Sequence, residues 1–183
     1  MNIETVHYIN MFVGLGAMLL LALSLVALGL LLFGPKENIY LALIKKYFIE
    51  IGFLISLSAV LVSTFYSEVL HYAPCFHCWV QRIFMFPQVL LYGVAWFRRD
   101  RNVLWYSLPL LVVGIADSLF LNYKYYINPN SAPCDASGVS CVQNLVSEFG
   151  GVVSIPSLAL MGFVSFIILL LVVNFYKNDK SGN

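Results

Sequence analysis

Charge is scarce in this chain. Asp, Glu, Lys and Arg make up only 10% of its 183 residues, hydrophobic residues make up 61%, and mean hydropathy is +0.86. A soluble domain carries about 25% charged residues, so water cannot be the solvent for most of this surface. The formal net charge is +1 and there is no block of about five or six like charges, so nothing offers a basic field for nucleic acid. Glycine, proline and cysteine are not in excess, so collagen-like, disordered and disulfide-knot secreted classes fall away. No internal repeat or low-complexity linker breaks the pattern. An integral membrane protein remains.

The apolar runs fall at Met11–Phe33, Phe48–Leu70, Trp79–Phe97, Val103–Tyr123 and Val152–Tyr176. Each matches the about 17–25 residues a helix needs to cross the hydrocarbon layer. The first is expected to be a retained span rather than a signal peptide. It is too long for an h-region, the preceding MNIETVHYIN has no Lys or Arg, and no A-x-A-like site follows. Eight of the ten Lys and Arg residues lie at Lys36, Lys45 and Lys46, at Arg98, Arg99 and Arg101, and at Lys177 and Lys180. With five spans, all three groups fall on one side, which the positive-inside rule makes cytoplasmic. The N-terminus is then outside and the C-terminus inside. Tyr66, Tyr72, Trp79, Trp96, Trp105 and Tyr123 collect at span ends, as an interfacial belt does.

None of the four cysteines sits inside an apolar run. Cys75 and Cys78 form a C-x-x-C in the loop before the third span, and Cys134 and Cys141 lie in the loop before the fifth. Both loops are extracytoplasmic by the charge rule, where disulfides form and persist. A thiol at a helix start feels the positive end of the helix dipole, which lowers its pKa. Arg82 adds a cation one turn beyond Cys78, and His77 adds another when protonated. The second pair lies in PNSAPCDASGVSC, a turn-forming stretch that can reach a soluble partner. Exchange between the pairs would carry electrons from an outer donor to the membrane-proximal pair. A lipid-soluble two-electron acceptor, a quinone, suits that end of the relay.

Two plainer accounts stand beside this one. The four cysteines could form two inert structural disulfides, though a staple as short as C-x-x-C removes little unfolded-state entropy. Cys75, His77, Cys78 and a loop cysteine could hold Zn²⁺ or Cu⁺, but no span carries the Met, His or Cys ladder of a metal pathway, and no metal is expected. Other polar residues also need an account. Asp117, two turns inside a span, should be protonated, paired or near water, either as a proton relay or as a packing contact. Gln81 and Gln88 share a helix with the C-x-x-C. Interhelical hydrogen bonding is the usual use of such residues, and Gln81 could also donate to a quinone carbonyl. Gly14, Gly16, Gly93 and Gly114 suggest close helix contacts.

The block PCFHCWVQRI (Pro74–Ile83), Pro87, the RRDR turn, the downstream cysteine pair and the SIPSLAL opening of the last span resemble the DsbB/BdbC family of disulfide-bond formation proteins. The resemblance covers about residues 48–176. It implies an all-α integral membrane protein: a four-helix transmembrane bundle as redox core (48–176), preceded by an additional N-terminal transmembrane helix and cytoplasmic loop (1–47) and followed by a cytoplasmic tail (177–183). The implied activity is a quinone-dependent protein-disulfide oxidoreductase of the bacterial inner membrane. It would reoxidise an extracytoplasmic, DsbA-like thioredoxin-fold dithiol oxidase and pass the electrons to ubiquinone or menaquinone. Carried over residue by residue, Cys75 and Cys78 match the quinone-proximal pair, with Cys78 facing the ring. Arg82 matches the quinone-associated arginine. Cys134 matches the cysteine that bonds the partner, and Cys141 its resolving cysteine. A partner at about −120 mV needs a stronger oxidant behind it, and the DsbA–DsbB–quinone relay is the standard instance of that redox order. The first span has no counterpart in four-helix members, and the loop cysteines are closely spaced. A vitamin K epoxide reductase-like quinone reductase would use the same chemistry, but there the loop pair precedes the C-x-x-C.

Overall fold

The computed structural model describes residues 3–35, 37–127, 146 and 149–176. Among these residues the fold is helical throughout. Helix α1 (Ile3–Phe33) carries no charge beyond Glu4 and is apolar on every side, as a lipid-facing helix must be. The short α2 (Ile39–Lys46) starts at Asn38, whose side chain accepts a hydrogen bond from the Tyr40 amide at 2.9 Å. Lys45 and Lys46 close its last turn, where the helix dipole favours cations. Helix α3 (Phe48–Thr64) runs into a π-helical turn, Phe65–Val69. Helix α4 (Phe76–Arg98) ends on Arg99 in the left-handed conformation, followed by α5 (Val103–Tyr126). A 3₁₀ turn, Phe149–Gly151, leads to α6 (Ile155–Phe175).

The SIPS segment explains how α6 begins. Ser154 and Ser157 form a capping box, each side chain accepting the other's backbone N–H, and proline stands in the first turn where no N–H is needed. Asn122 of α5 donates to the Pro156 carbonyl at 2.9 Å, and the Tyr126 hydroxyl donates to Gly151 at 2.8 Å. These bonds pin the end of α5 to the start of α6.

Helices α3, α4, α5 and α6 close a four-helix ring, each packing on the next, with the α3–α6 seam the thinnest. Phe48, Ile55, Tyr92, Leu111, Phe163 and Phe166 fill its core. Gly114 lets Phe163 approach so closely that a Cβ would stand 2.3 Å from its ring. Gly14 likewise meets Val153, whereas Gly16 has no neighbour within 4 Å and Gly93 only an ordinary contact with Phe53. Helix α1 lies outside the ring against α6.

Helices α1, α3 with its π-helical turn, α5 and α6 are each long and apolar enough to cross a membrane. The expected third span lies in α4, whose 23 residues measure about 34 Å. That is long enough to cross, but His77, Gln81, Arg82 and Gln88 dilute its apolar character. The protein is an all-α, multi-pass membrane protein. Helix α1 begins well before the expected Met11, because nothing between Ile3 and Met11 breaks a helix. Helix α2 was expected only as loop. Lys45, Lys46, Arg98, Arg99 and Arg101 gather at one end: the Lys45 ammonium donates to the Tyr176 carbonyl, and Arg101 donates to the Lys45 carbonyl at 3.1 Å. Cys75 and Cys78 lie at the N-terminus of α4, away from its basic C-terminal turn.

Candidate active site

Cys75 is the N-cap of α4, with extended backbone angles and its carbonyl accepting the Trp79 amide at 3.1 Å. Cys78 follows within the first turn. Their sulfurs lie 3.1 Å apart, Cys75 buried and Cys78 half-buried, with Leu121 of α5 packed against the pair. The C-x-x-C therefore brings its two thiols together at a helix N-terminus.

Below the pair, a cavity of about 180 Å³ opens between α3, α4 and α6. One face of α4 supplies Cys75, Cys78, Gln81, Arg82 and Met85, whose spacing repeats at three and four residues. Tyr66, Phe86, Pro156 and Phe163 are among the other walls, which are mainly apolar.

Gln81 and Arg82 stand differently there. Gln81 is 8% exposed, and its Nε2 has no hydrogen-bond partner among the described residues. Gln88, two turns on, is fully engaged by comparison. Its Oε1 accepts from the Ser107 hydroxyl at 2.8 Å and its Nε2 donates to the Ser107 carbonyl at 3.4 Å, tying α4 to α5. Gln88 thus has the interhelical use expected of polar residues in spans, and Gln81 is left as an unmatched donor on a cavity wall. Arg82 donates from Nε to the Ser63 hydroxyl and from Nη2 to the Ser63 carbonyl, both at 2.9 Å. Its guanidinium also lies 5.1 Å from the Trp79 ring centre and 5.9 Å from that of Phe86. The two bonds to Ser63 fix the charge at the cavity edge and leave further N–H groups for a ligand.

Sequence reasoning left His77 and Asp117 separate, and the structure joins them. His77 Nδ1 lies 2.6 Å from Asp117 Oδ1, with both side chains about one-eighth exposed (12% and 13%). The His77 ring packs on Phe76 and Phe120. Asp117 Oδ2 is buried with no partner among the described residues. The pair points toward α5 and does not line the cavity. A usable signal was present: a lone carboxylate in a span needs a partner, and His77 sits at the same end. Cys134 and Cys141 lie outside the described residues.

Comparison with known proteins places this arrangement. Residues 45–173 match the family model for disulfide bond formation protein DsbB. The chain belongs to the DsbB family. A probable disulfide formation protein C 2 of Bacillus anthracis is 37% identical over 142 residues, covering 77% of this chain and 99% of that protein. Disulfide bond formation protein C of Bacillus subtilis is 36% identical over 136 residues, 73% of this chain and 95% of the relative. A probable disulfide formation protein of Metapseudomonas resinovorans is 40% identical over 122 residues, 66% and 84% of the two chains. No solved structure matches the chain. As a DsbB family member the protein is a membrane thiol oxidoreductase of disulfide bond formation. The family match starts at residue 45 and leaves α1 outside it.

Proposed function

We propose that this protein reoxidises an extracytoplasmic, DsbA-like thioredoxin-fold dithiol and delivers the electrons to membrane quinone through Cys134–Cys141 and then Cys75–Cys78. The observation that carries this is the single cavity on which the C-x-x-C, an unmatched buried amide and an anchored guanidinium converge. A cavity of about 150 Å³ accepts benzene, so one of about 180 Å³ has room for one quinone ring. The residues present fit such a group: apolar walls for the ring, and Gln81 and Arg82 as donors for its oxygens.

When bound, a quinone supplies a lipid-soluble acceptor of two electrons and two protons. The chain's own residues do the rest. The partner's thiolate attacks the Cys134–Cys141 disulfide at Cys134. The partner's second thiolate then resolves that mixed disulfide, leaving the partner oxidised and the loop pair reduced. The loop dithiol next reduces the Cys75–Cys78 disulfide by the same exchange, Cys141 attacking Cys75. The reduced C-x-x-C would yield two electrons and two protons as its S–S bond re-forms, with Cys78 as the acceptor-side sulfur. Gln81 Nε2 would be the hydrogen-bond donor for one oxygen of such a group. Arg82, held by Ser63, would favour the Cys78 thiolate and offer its remaining N–H groups to the same ligand. The gathering of Lys45, Lys46, Arg98, Arg99 and Arg101 at the other end of the bundle supports a cytoplasmic basic end, with both cysteine pairs outside.

The test is anaerobic mixing of purified protein with a reduced thioredoxin-fold dithiol and a short-chain quinone, following quinone absorbance. One quinone should be reduced per partner dithiol oxidised. Cys75→Ser and Cys78→Ser should each abolish the signal. Near wild-type quinone reduction by either variant refutes the relay.

A further inference from the structure

Helix α1 carries one buried polar side chain, Asn10, at 5% exposure. Its amide oxygen accepts a 2.7 Å hydrogen bond from the Tyr66 hydroxyl, in the π-helical turn that ends α3. Tyr66 is itself 6% exposed, stacks on Tyr72 with ring centres 6.0 Å apart, and lines the cavity beside the cysteines. Four residues further along, Gly14 seats α1 against Val153, immediately before the Ser154 cap of α6. Met18 then packs into the cluster formed by Tyr66, Val146 and Val153. So α1 grips the end of α3 at one point and the start of α6 at another. These are the two walls that meet along the thinnest seam of the ring, and the cavity lies on that seam. π-Helical turns concentrate at functional sites, and this one places Tyr66 where both α1 and the cavity reach it.

We infer that α1 is a strap across the α3–α6 seam, and that Asn10 is a positioning residue that sets the quinone site by holding Tyr66. The inference rests on the quinone reading above and adds to it a role for a helix outside the family-matched residues. Without the Asn10 bond, the Tyr66 ring loses its 2.7 Å tie to α1 and can shift on the cavity wall. That movement changes the wall against which a quinone ring packs.

The experiment measures equilibrium binding of a short-chain benzoquinone to the full-length protein by quenching of tryptophan fluorescence, together with quinone KM and kcat. Asn10→Leu and Tyr66→Phe should each weaken binding about three- to tenfold, the scale of one interhelical hydrogen bond in a membrane. KM should rise in parallel while kcat stays within about twofold. The double variant should be no weaker than the poorer single variant, because both remove one bond. Gly14→Ala, whose added Cβ would stand 2.9 Å from Val153, should weaken binding in the same direction with both hydrogen-bonding groups intact. Gly16→Ala, on the same helix with nothing within 4 Å, should bind as wild type. Wild-type binding by Asn10→Leu and Gly14→Ala, or additive losses in the double variant, would overturn the strap while leaving the quinone site standing. Failure of the wild type to bind quinone would overturn the site itself, and the strap with it.

Discussion

Replacing Gln81 by leucine should make the protein more stable and a worse quinone binder at once. In the structure the Gln81 amide nitrogen is buried without a partner, and such a group costs about 1–3 kcal/mol. Leucine fills similar space with no polar atom to satisfy. About 1 kcal/mol of added stability raises Tm by roughly 2–4 °C in a chain of this size. Binding should move the other way. One hydrogen bond lost in a membrane setting is worth about 0.6–1.7 kcal/mol, or about three- to fifteenfold in Kd. Thermal unfolding in detergent, with and without a fixed concentration of short-chain quinone, reads both effects together. A ligand that binds only the folded state adds RT ln(1 + [L]/Kd) to its stability. Gln81→Leu should therefore start at a higher Tm and gain less from quinone, so that the advantage shrinks as quinone is added. A lower Tm without quinone, combined with an unchanged quinone increment, would show that the amide is interhelical glue like Gln88 and would refute the reasoning.

Arg82→Lys keeps the charge but cannot make both contacts to Ser63, so quinone KM should rise about tenfold, the scale of a hydrogen bond to a charged group. Ser63→Ala should shift KM the same way by less, and exchange between the cysteine pairs should persist in both, as followed by alkylation. His77→Ala strands the Asp117 carboxyl and should cost about 3 kcal/mol of stability in detergent unfolding, while His77→Ala combined with Asp117→Leu should recover most of it. Additive losses in that pair would mean the two residues are not coupled. A partner variant that keeps only its attacking cysteine cannot resolve the mixed disulfide, so it should be trapped on Cys134 of the oxidised protein on non-reducing gels, and Cys134→Ala should abolish the adduct; peptide mapping of the adduct to Cys141 would reverse the relay.

Much of this fold was legible because lipid imposes a simple rule on sequence. Long, largely apolar runs such as Val103–Tyr123 and Val152–Tyr176 have few alternatives to a spanning helix, and they lie within or nearly coincide with α5 and α6. The cysteine motif at the start of α4 was equally plain, since a C-x-x-C before an apolar run reads as a helix N-terminus. What stayed hidden were contacts between elements far apart in the chain. The 2.6 Å approach of His77 to Asp117 spans 40 residues, and that of Tyr66 to Asn10 spans 56. No local periodicity encodes either. Helix α2 was missed for a different reason: eight residues are too few to show a reliable period, and its start depends on the Asn38 cap.

Helix α4 shows why hydropathy and chemistry pull against each other in such a protein. Its polar residues divide by face. Cys75, Cys78, Gln81 and Arg82 turn to the cavity between α3 and α6, while His77 and Gln88 turn to α5 and find partners there. Each would be costly against lipid, and the four-helix ring removes that cost by enclosing α4 between α3 and α5. The helix that carries the chemistry is therefore less lipid-like than its neighbours, because the other three supply the apolar surface for it. The residues that lower the hydropathy of α4 are the same cysteines, amide and guanidinium on which the proposed relay rests. Helix α1 extends this logic outward. It packs along α6 and reaches the end of α3 through the Asn10–Tyr66 hydrogen bond, so its one buried polar side chain is also matched inside the protein.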